Sequence, residues 1–497
     1  MTTQAMGISG LAAYLPPYRV NLEHWCEWTG ENWDKIRNVV GSSFRMRGPG
    51  ENVYTMSATA VMRLIRQYDL DASRIGFLAL GTESSTDNSA GAVIVKGMVN
   101  AALRAEGRPL LTRHCEVPEF KHACLGGVYA MKNALRYLAL DGRGKQAVVV
   151  SADIAEYART SSGEPTQGAG AVAMLLEADP KLLEVDLARA GSASDYRGPD
   201  FRKPFARFAG QNTPAGTPLK DFPVFNGKYS TTCYIDEVLL AIDAMFARHE
   251  GSRRACLDRM TAVFMHRPYQ RMPETGYGMA YLYALATGDA DDRARLKAPC
   301  KAAGVELAAL IAELETRPEV HALVAKERLD DDVYPLAMQT VRAFRSSPDY
   351  QQAVLSRLAL GADAMRDVGN LYSAALPAWI ASGLEEALER GDDLDGKEIL
   401  AIGYGSGDAA EAIPMRVASA WRQAAGAVHF RDCFTGARDL NRADYECLHE
   451  SGQLANGLPG SEFLIDRVGL GKHVDFDDFG VEYYRHIDTA LAGIRSA

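Results

Sequence analysis

The 497-residue chain has 47% hydrophobic and 24% charged residues, the proportions of a soluble globular protein long enough to hold several domain-sized units. A formal net charge of -10 argues against nucleic acid or an anionic membrane as the main partner, and no stretch is long and apolar enough to span a bilayer. The eight cysteines are scattered without CxxC pairs, which argues against a metal site or a disulfide framework and for a reduced, cytoplasmic setting. The N-terminus lacks a basic region followed by an apolar run, so no secretory signal is expected.

In chain order, residues 7–20 predict a short apolar strand running into the Pro16-Pro17 turn. A helix is predicted over 54–67, then the apolar run 75–80 of the kind buried parallel strands show, with Glu83 just past its end. Cys124 comes at the start of the next helix: Val128, Met131, Leu135 and Leu138 recur at helical spacing and Gly142 ends the pattern. A helix N-terminus favours thiolate, so a lowered thiol pKa is expected at Cys124. The pair Gly126-Gly127 gains nothing from helix propensity and signals close approach of something to the backbone.

A strand at 147–150, a loop over 157–170 and a strand at 171–176 follow. Residues 195–225 are polar, with several Pro and Gly, and read as a long surface connection. Next come a helix over 234–248 and a strand at 261–265 that delivers His266. The stretch 284–363 has alternating charge and helical spacing and reads as a mostly helical, solvated excursion. Gly369 opens another helix region, and a strand at 398–402 ends in a glycine-rich loop, Gly403 to Gly407. Strands alternating with helices predict an α/β fold, and the same order in both parts hints at duplication, with halves at 1–175 and 176–497.

Glu83, Cys124, His266 and the 403–407 loop all follow predicted strands or open helices. Ligands of open α/β sheets collect at strand carboxyl ends, so these positions can converge. Taken singly, each has a structural alternative: a buried structural cysteine, a capping glutamate, a satisfied histidine, a tight glycine turn.

Taken together and in order, they change the reading. The motifs Gly81-Thr-Glu83-Ser-Ser-Thr-Asp87, Glu119-Phe-Lys-His-Ala-Cys124-Leu-Gly-Gly127, Ser151-Ala-Asp-Ile-Ala-Glu-Tyr157 and Glu164-Pro-Thr-Gln-Gly-Ala-Gly-Ala171 occur in the first part of the chain. Asn226-Gly-Lys-Tyr-Ser230, Phe264-Met-His266-Arg-Pro-Tyr269, Gly369-Asn370-Leu-Tyr372 and Tyr404-Gly-Ser-Gly407 follow. In this order the sequence resembles the 3-hydroxy-3-methylglutaryl-CoA synthase family of thiolase-like condensing enzymes, from about residue 7 to about residue 410.

The resemblance implies a thiolase-like fold of two pseudo-duplicated α/β halves in a five-layer arrangement, and an obligate homodimer. It implies that Cys124 is the acylated nucleophile, Glu83 the general acid/base and His266 the residue that polarises the second substrate. Thr166, Ser230 and Asn370 match positions lining the acyl or pantetheine pocket, and the backbone of Gly403 matches an oxyanion-hole position. Arg271 stands where the family commonly has lysine, and Thr160 near a usual asparagine. The implied reaction joins acetyl-CoA to acetoacetyl-CoA for an isoprenoid-type (mevalonate) pathway, with no metal or redox cofactor. The nearest alternative presents acyl groups on an acyl carrier protein, as in polyketide β-branching, and Arg267 and Arg271 at the pocket mouth would suit an acidic carrier. A ketoacyl-synthase-type Claisen enzyme and a thiolase-fold scaffold are the remaining readings; the Glu83 motif weighs against the first and the intact Glu83, Cys124 and His266 against the second.

Overall fold

The apolar runs at 75–80 and 147–150 become neighbouring parallel strands because both of their faces are covered. In the computed structural model, which describes residues 4–85, 88–203, 222–224, 226–455, 457, 460–471 and 475–487, these runs belong to β4 (Ile75–Gly81) and β6 (Gln146–Ala155). Leu78, Leu80, Val148 and Val150 enter one apolar core while Phe77, Ala79, Ala147 and Val149 enter another, the period of two that a doubly covered strand imposes.

The other strands that matter here are β1 (Met6–Tyr14), β2 (Tyr18–Asn21), β3 (Ser43–Met46), β5 (Glu119–Phe120), β7 (Gly168–Ala178), β8 (Leu183–Val185), β9 (Gly191–Ser194), β10 (Met260–Met265), β11 (Glu398–Gly405) and β12 (Ala409–Val417). One ten-stranded mixed sheet runs β10-β11-β12-β8-β1-β7-β6-β4-β5, with β9 also on β12. Its two ends repeat each other. β4 and β6 are parallel, β6 and β7 antiparallel, β7 and β1 antiparallel; likewise β10 and β11 are parallel, β11 and β12 antiparallel, β12 and β9 antiparallel. The duplication expected from the sequence is therefore a duplication of sheet order, and the chain has the thiolase-like α/β fold. β7 continues to Ala178, three residues beyond the expected division of the halves.

Helices α3 (Val53–Gln67) and α4 (Gly91–Ala105) cover the outer face of the first half-sheet. Helix α5 (Gly126–Ala139) and helix α8 (Ala375–Arg390) lie between the half-sheets, and α8 is buried almost all round. Helix α6 (Gly227–Phe246) flanks the second half-sheet, and helix α7 (Arg271–Ala286) packs on α6. No helix among the described residues is long and apolar enough to cross a membrane.

The stretch 284–363 is helical, as expected, but it is not a solvated excursion. Leu310, Leu314, Val341, Phe344 and Tyr350 are buried in the main core, and the Tyr334 hydroxyl bonds Asp236 of α6 at 2.5 Å. The charges occupy the outer faces while the apolar stripe packs inward. Residues 204–221 and 225 of the expected surface connection lie outside the described residues.

Glycines set how closely α5 can approach the strands. A side chain at Gly126 would meet the Phe120 carbonyl at 2.6 Å, and one at Gly127 would strike Ser151. The close approach read from the glycine pair is thus real. Gly405 faces the same helix start, with the His122 carbonyl 2.5 Å from where its Cβ would be. Gly97, on the exposed side of α4, has open space. Gly405→Ala should therefore cost about 1–3 kcal/mol by overpacking, whereas Gly97→Ala should add about 0.5–1 kcal/mol, differences readable as opposite shifts of the urea midpoint.

Candidate active site

The chain turns sharply just before α5. Ala123 has φ of +43°, a left-handed backbone that a non-glycine residue adopts at a cost, and the next residue, Cys124, points its thiol toward the end of β4. There Cys124 Sγ donates to Glu83 Oε2 at 3.4 Å. The Glu83 loop is held from β6: Asp153 Oδ1 accepts from Thr82 Oγ1 at 2.9 Å, from the Glu83 N–H at 2.8 Å and from Ser84 Oγ at 2.8 Å. Its Oδ2 accepts from the Ser373 N–H at 2.9 Å, across to the turn that opens α8. Thr86 and Asp87 of the Glu83 motif lie outside the described residues.

A cavity of about 680 Å³ leads to Cys124. His266, Thr160, Thr166, Ser230 and Asn370 line it together with Cys124, so the structure gathers six of the expected positions around one space and hydrogen-bonds Glu83 to one of them. Asn370 is fixed by its N–H to the Thr166 carbonyl at 3.1 Å and by its Oδ1, which accepts from the Tyr372 N–H at 2.9 Å. The Thr166 hydroxyl donates to the Gly163 carbonyl at 2.8 Å, and the Ser230 hydroxyl to Asp200. Thr160, with φ of +67°, donates its N–H to Glu164 Oε2 at 2.6 Å.

Two expectations are corrected. Gly403 is not in a loop and does not reach the cavity: β11 runs on to Gly405, pairing Gly403 with Glu411, because glycines let this strand pass against Leu125 and Val128. The cavity is lined instead by Tyr404 and Ser406. Arg271 and Arg267 are not at the mouth. Arg271 pairs with Glu274 at 3.4 Å and donates to the Asn38 carbonyl, while Arg267 is buried, lies over Trp379 and donates to the Ala362 carbonyl. Among the described residues, the Lys and Arg side chains that do line the cavity are Lys35, Arg159 and Arg442.

The electrostatics also differ from the sequence expectation at Cys124. Burial, and then the neighbouring carboxyls of Glu83 and Asp153, push the thiol well above its ordinary value, outweighing a helix start that begins two residues later. Burial lowers His266 to about 3, so its imidazole is neutral at physiological pH. Its ring stacks on Tyr404 with centroids 6.2 Å apart. Tyr157, Phe201 and Tyr372 pack edge to face around Cys124, with centroids 6.0–6.5 Å apart, and keep the thiol in an apolar wall.

Sequence reasoning missed Asp153, Tyr157 and Tyr372 as site residues, although all three fall inside quoted motifs. It also missed the mouth. Trp25, Trp28 and Lys35 come from α1 (Leu22–Thr29) and α2 (Trp33–Val39), and Arg442 from α9 (Arg442–Ser451). On α9, Tyr445 stacks with Trp28, and Glu446 pairs with Arg159 at 3.0 Å.

Family models described as the N-terminal and C-terminal regions of hydroxymethylglutaryl-coenzyme A synthase match residues 2–181 and 217–432, so α9 falls beyond the matched range. The chain is 26% identical to the hydroxymethylglutaryl-CoA synthase of Haloferax volcanii over 404 residues, 80% of each chain. It is 27% identical to the enzyme of Saccharomyces cerevisiae over 428 residues, 82% of this chain and 74% of that one. Among solved structures, MvaS in complex with 3-hydroxy-3-methylglutaryl coenzyme A superposes with a TM-score of 0.73 at 24% identity, over 98% of this chain and 100% of that one. The curacin-pathway HMG synthase, also solved with donor ACP, gives 0.65 at 18% identity over 97% of this chain and 100% of that one. With its matched halves, its duplicated sheet order and its gathered motifs, the chain belongs to the hydroxymethylglutaryl-CoA synthase family and is an acyltransferase of that condensing type.

Proposed function

We propose that the protein transfers acetyl from acetyl-CoA to Cys124, condenses it with acetoacetyl-CoA and hydrolyses the product to 3-hydroxy-3-methylglutaryl-CoA. The observation that carries this is the Cys124 Sγ to Glu83 Oε2 hydrogen bond at the end of the cavity.

The thiol is protonated at rest, so attack needs a base, and the Glu83 carboxylate in contact with it accepts the proton. The Cys124 sulfur bonds to the acetyl carbonyl carbon, the bond to the carrier sulfur breaks, and the proton leaves with the carrier thiol. Glu83, again a carboxylate, removes a proton from the methyl of acetyl-Cys124. The resulting carbanion attacks the 3-carbonyl of acetoacetyl-CoA, and the alkoxide takes the proton back from Glu83. A neutral His266 is a hydrogen-bond donor toward that oxygen without bringing a second charge into a buried site. We assign the main-chain donor for the thioester oxygen to Ser406, which with Tyr404 is one of the two residues of the glycine string that line the cavity. Water then cleaves the Cys124 thioester. Every step moves one proton through Glu83 or water, so the scheme calls for no metal or redox cofactor.

Coenzyme A is favoured over a carrier protein because the relatives at 26–28% identity are hydroxymethylglutaryl-CoA synthases. A homodimer in a reducing, cytoplasmic compartment completes the reading; all eight cysteines are unpaired.

Brief incubation with acetyl-CoA should place an acetyl group on the Cys124 peptide, read by mass spectrometry and chased by acetoacetyl-CoA to hydroxymethylglutaryl-CoA. Label arriving only from an acetylated carrier protein would transfer the function to carrier substrates, and Cys124→Ala consuming acetoacetyl-CoA at the wild-type rate would refute the mechanism. Glu83→Gln, which keeps the shape but not the base, should slow condensation by about 10²–10⁴-fold in a stopped assay of product. Sedimentation at micromolar concentration should give twice the monomer mass, and a monomer mass would remove the dimer.

A further inference from the structure

Beside the His266 wall, two buried carboxyls share one hydroxyl. Tyr404 Oη lies 2.9 Å from Asp408 Oδ1 and 3.2 Å from Asp200 Oδ2. A phenol has a single proton to donate, so only one of these contacts can run from Tyr404 to a carboxylate. The other requires a proton on a carboxyl oxygen. Ser230 donates to the other oxygen of Asp200, the Gly407 N–H donates to the same Asp408 oxygen that Tyr404 meets, and the buried Asp408 Oδ2 accepts no hydrogen bond among the described residues. Both aspartates are buried.

The charged groups facing the pair, among the described residues, are those around Arg197. Its Nε is 3.7 Å from Asp408 Oδ2, but its other nitrogens pair with Asp195 at 3.1 Å, Asp236 at 2.5 Å and Glu237 at 2.9 Å, so its charge is already matched. Tyr334 donates to Asp236, and Tyr229 to the Arg197 carbonyl. Cys233 completes a trio with the two aspartates whose donor atoms lie within 4.8 Å of one another, with Arg197 Nε 3.7 Å from Asp408. Tyr404 itself packs edge-on against Tyr234 with centroids 4.9 Å apart, stacks on His266 and lines the cavity with Ser230.

We propose that Asp200 and Asp408 hold one proton between them at neutral pH, and that this proton makes Asp408 a positioning residue, fixing Tyr404 and Ser230 on the cavity wall beside His266. The effect on turnover rests on the proposed condensation; the existence of the proton does not. Burial and the neighbouring Asp200 push Asp408 up to about 8, in the same direction as the hydrogen-bond count. Because the folded value lies above that of an unfolded aspartate, the pair's contribution to stability is complete at acid pH and is lost as pH rises through about 8. Above that pH one phenol proton is left between two carboxylates, and the Tyr404 ring loses its second anchor.

The test is infrared difference spectroscopy of the whole protein between about pH 7 and about pH 10, beside pH profiles of kcat. A carbonyl band of a protonated carboxylic acid should disappear on going alkaline in the wild type and be missing from Asp200→Asn and Asp408→Asn. Wild-type kcat should fall about tenfold per pH unit past the titration, while each amide variant loses less than about tenfold at neutral pH and keeps a flat alkaline limb. No carboxylic-acid band in the wild type, or the same band and limb in both variants, would overturn the proposal. If either variant fails to fold, Tyr404→Phe decides: band and limb should move together, and a limb that stays put counts against the shared proton. A wild type that shows the band but never condenses the two thioesters would sink the proposed function and leave the proton standing.

Discussion

The site depends on one buried carboxyl. Asp153 stands near the carboxyl end of β6, and its two oxygens take donors from both halves of the molecule: Thr82, Glu83 and Ser84 on one side, Ser373 on the other. The first set fixes the loop that presents Glu83 to the thiol. The second fixes the turn carrying Asn370 and Tyr372, one of which lines the cavity while the other walls in Cys124. Two loops some 290 residues apart in sequence are thus indexed to the same atom group, and a buried acceptor so fully used leaves little freedom to either. Ser373 reinforces the link by donating to the Gly81 carbonyl at 2.9 Å.

Next to that anchor, Cys124 and His266 are both held without charge. The thiol is kept protonated by burial and by two carboxyls, the histidine is kept neutral by burial, and three aromatic rings close the wall. In the proposed reaction the thiolate forms only when a thioester is present and Glu83 takes the proton, and in so buried a setting hydrogen bonds to developing charge are stronger than in water.

Much of this was legible in the sequence, and the misses share physical causes. The helix after Cys124, the strands flanking it and the meaning of Gly126-Gly127 follow from local spacing and sterics, which a sequence carries directly. The order of the motifs carried the family. The glycine string at 403–407 misled because glycine marks both turns and strands that must pass close to a helix, and only the packing against Leu125 separates the two. The thiol misled because a helix-end effect is local while burial and the neighbouring carboxyls are tertiary. The 284–363 stretch showed its charged face plainly, but the partner for its apolar face lies on α6 and α7. Asp153, Asp200 and Asp408 look like any other acids until the fold brings their hydroxyl partners to them.

The short strand β8 has a consequence for how the molecule can work. It pairs with β1 through Gly7 and Ile8 and with β12 through Met415 to Val417, so one ladder of backbone hydrogen bonds runs unbroken from the first half-sheet into the second. Halves joined in this way cannot swing apart about a hinge between them without tearing the ladder. The space at Cys124 therefore lies in a body whose two half-sheets are tied together, and its way in is framed by α1, α2 and α9.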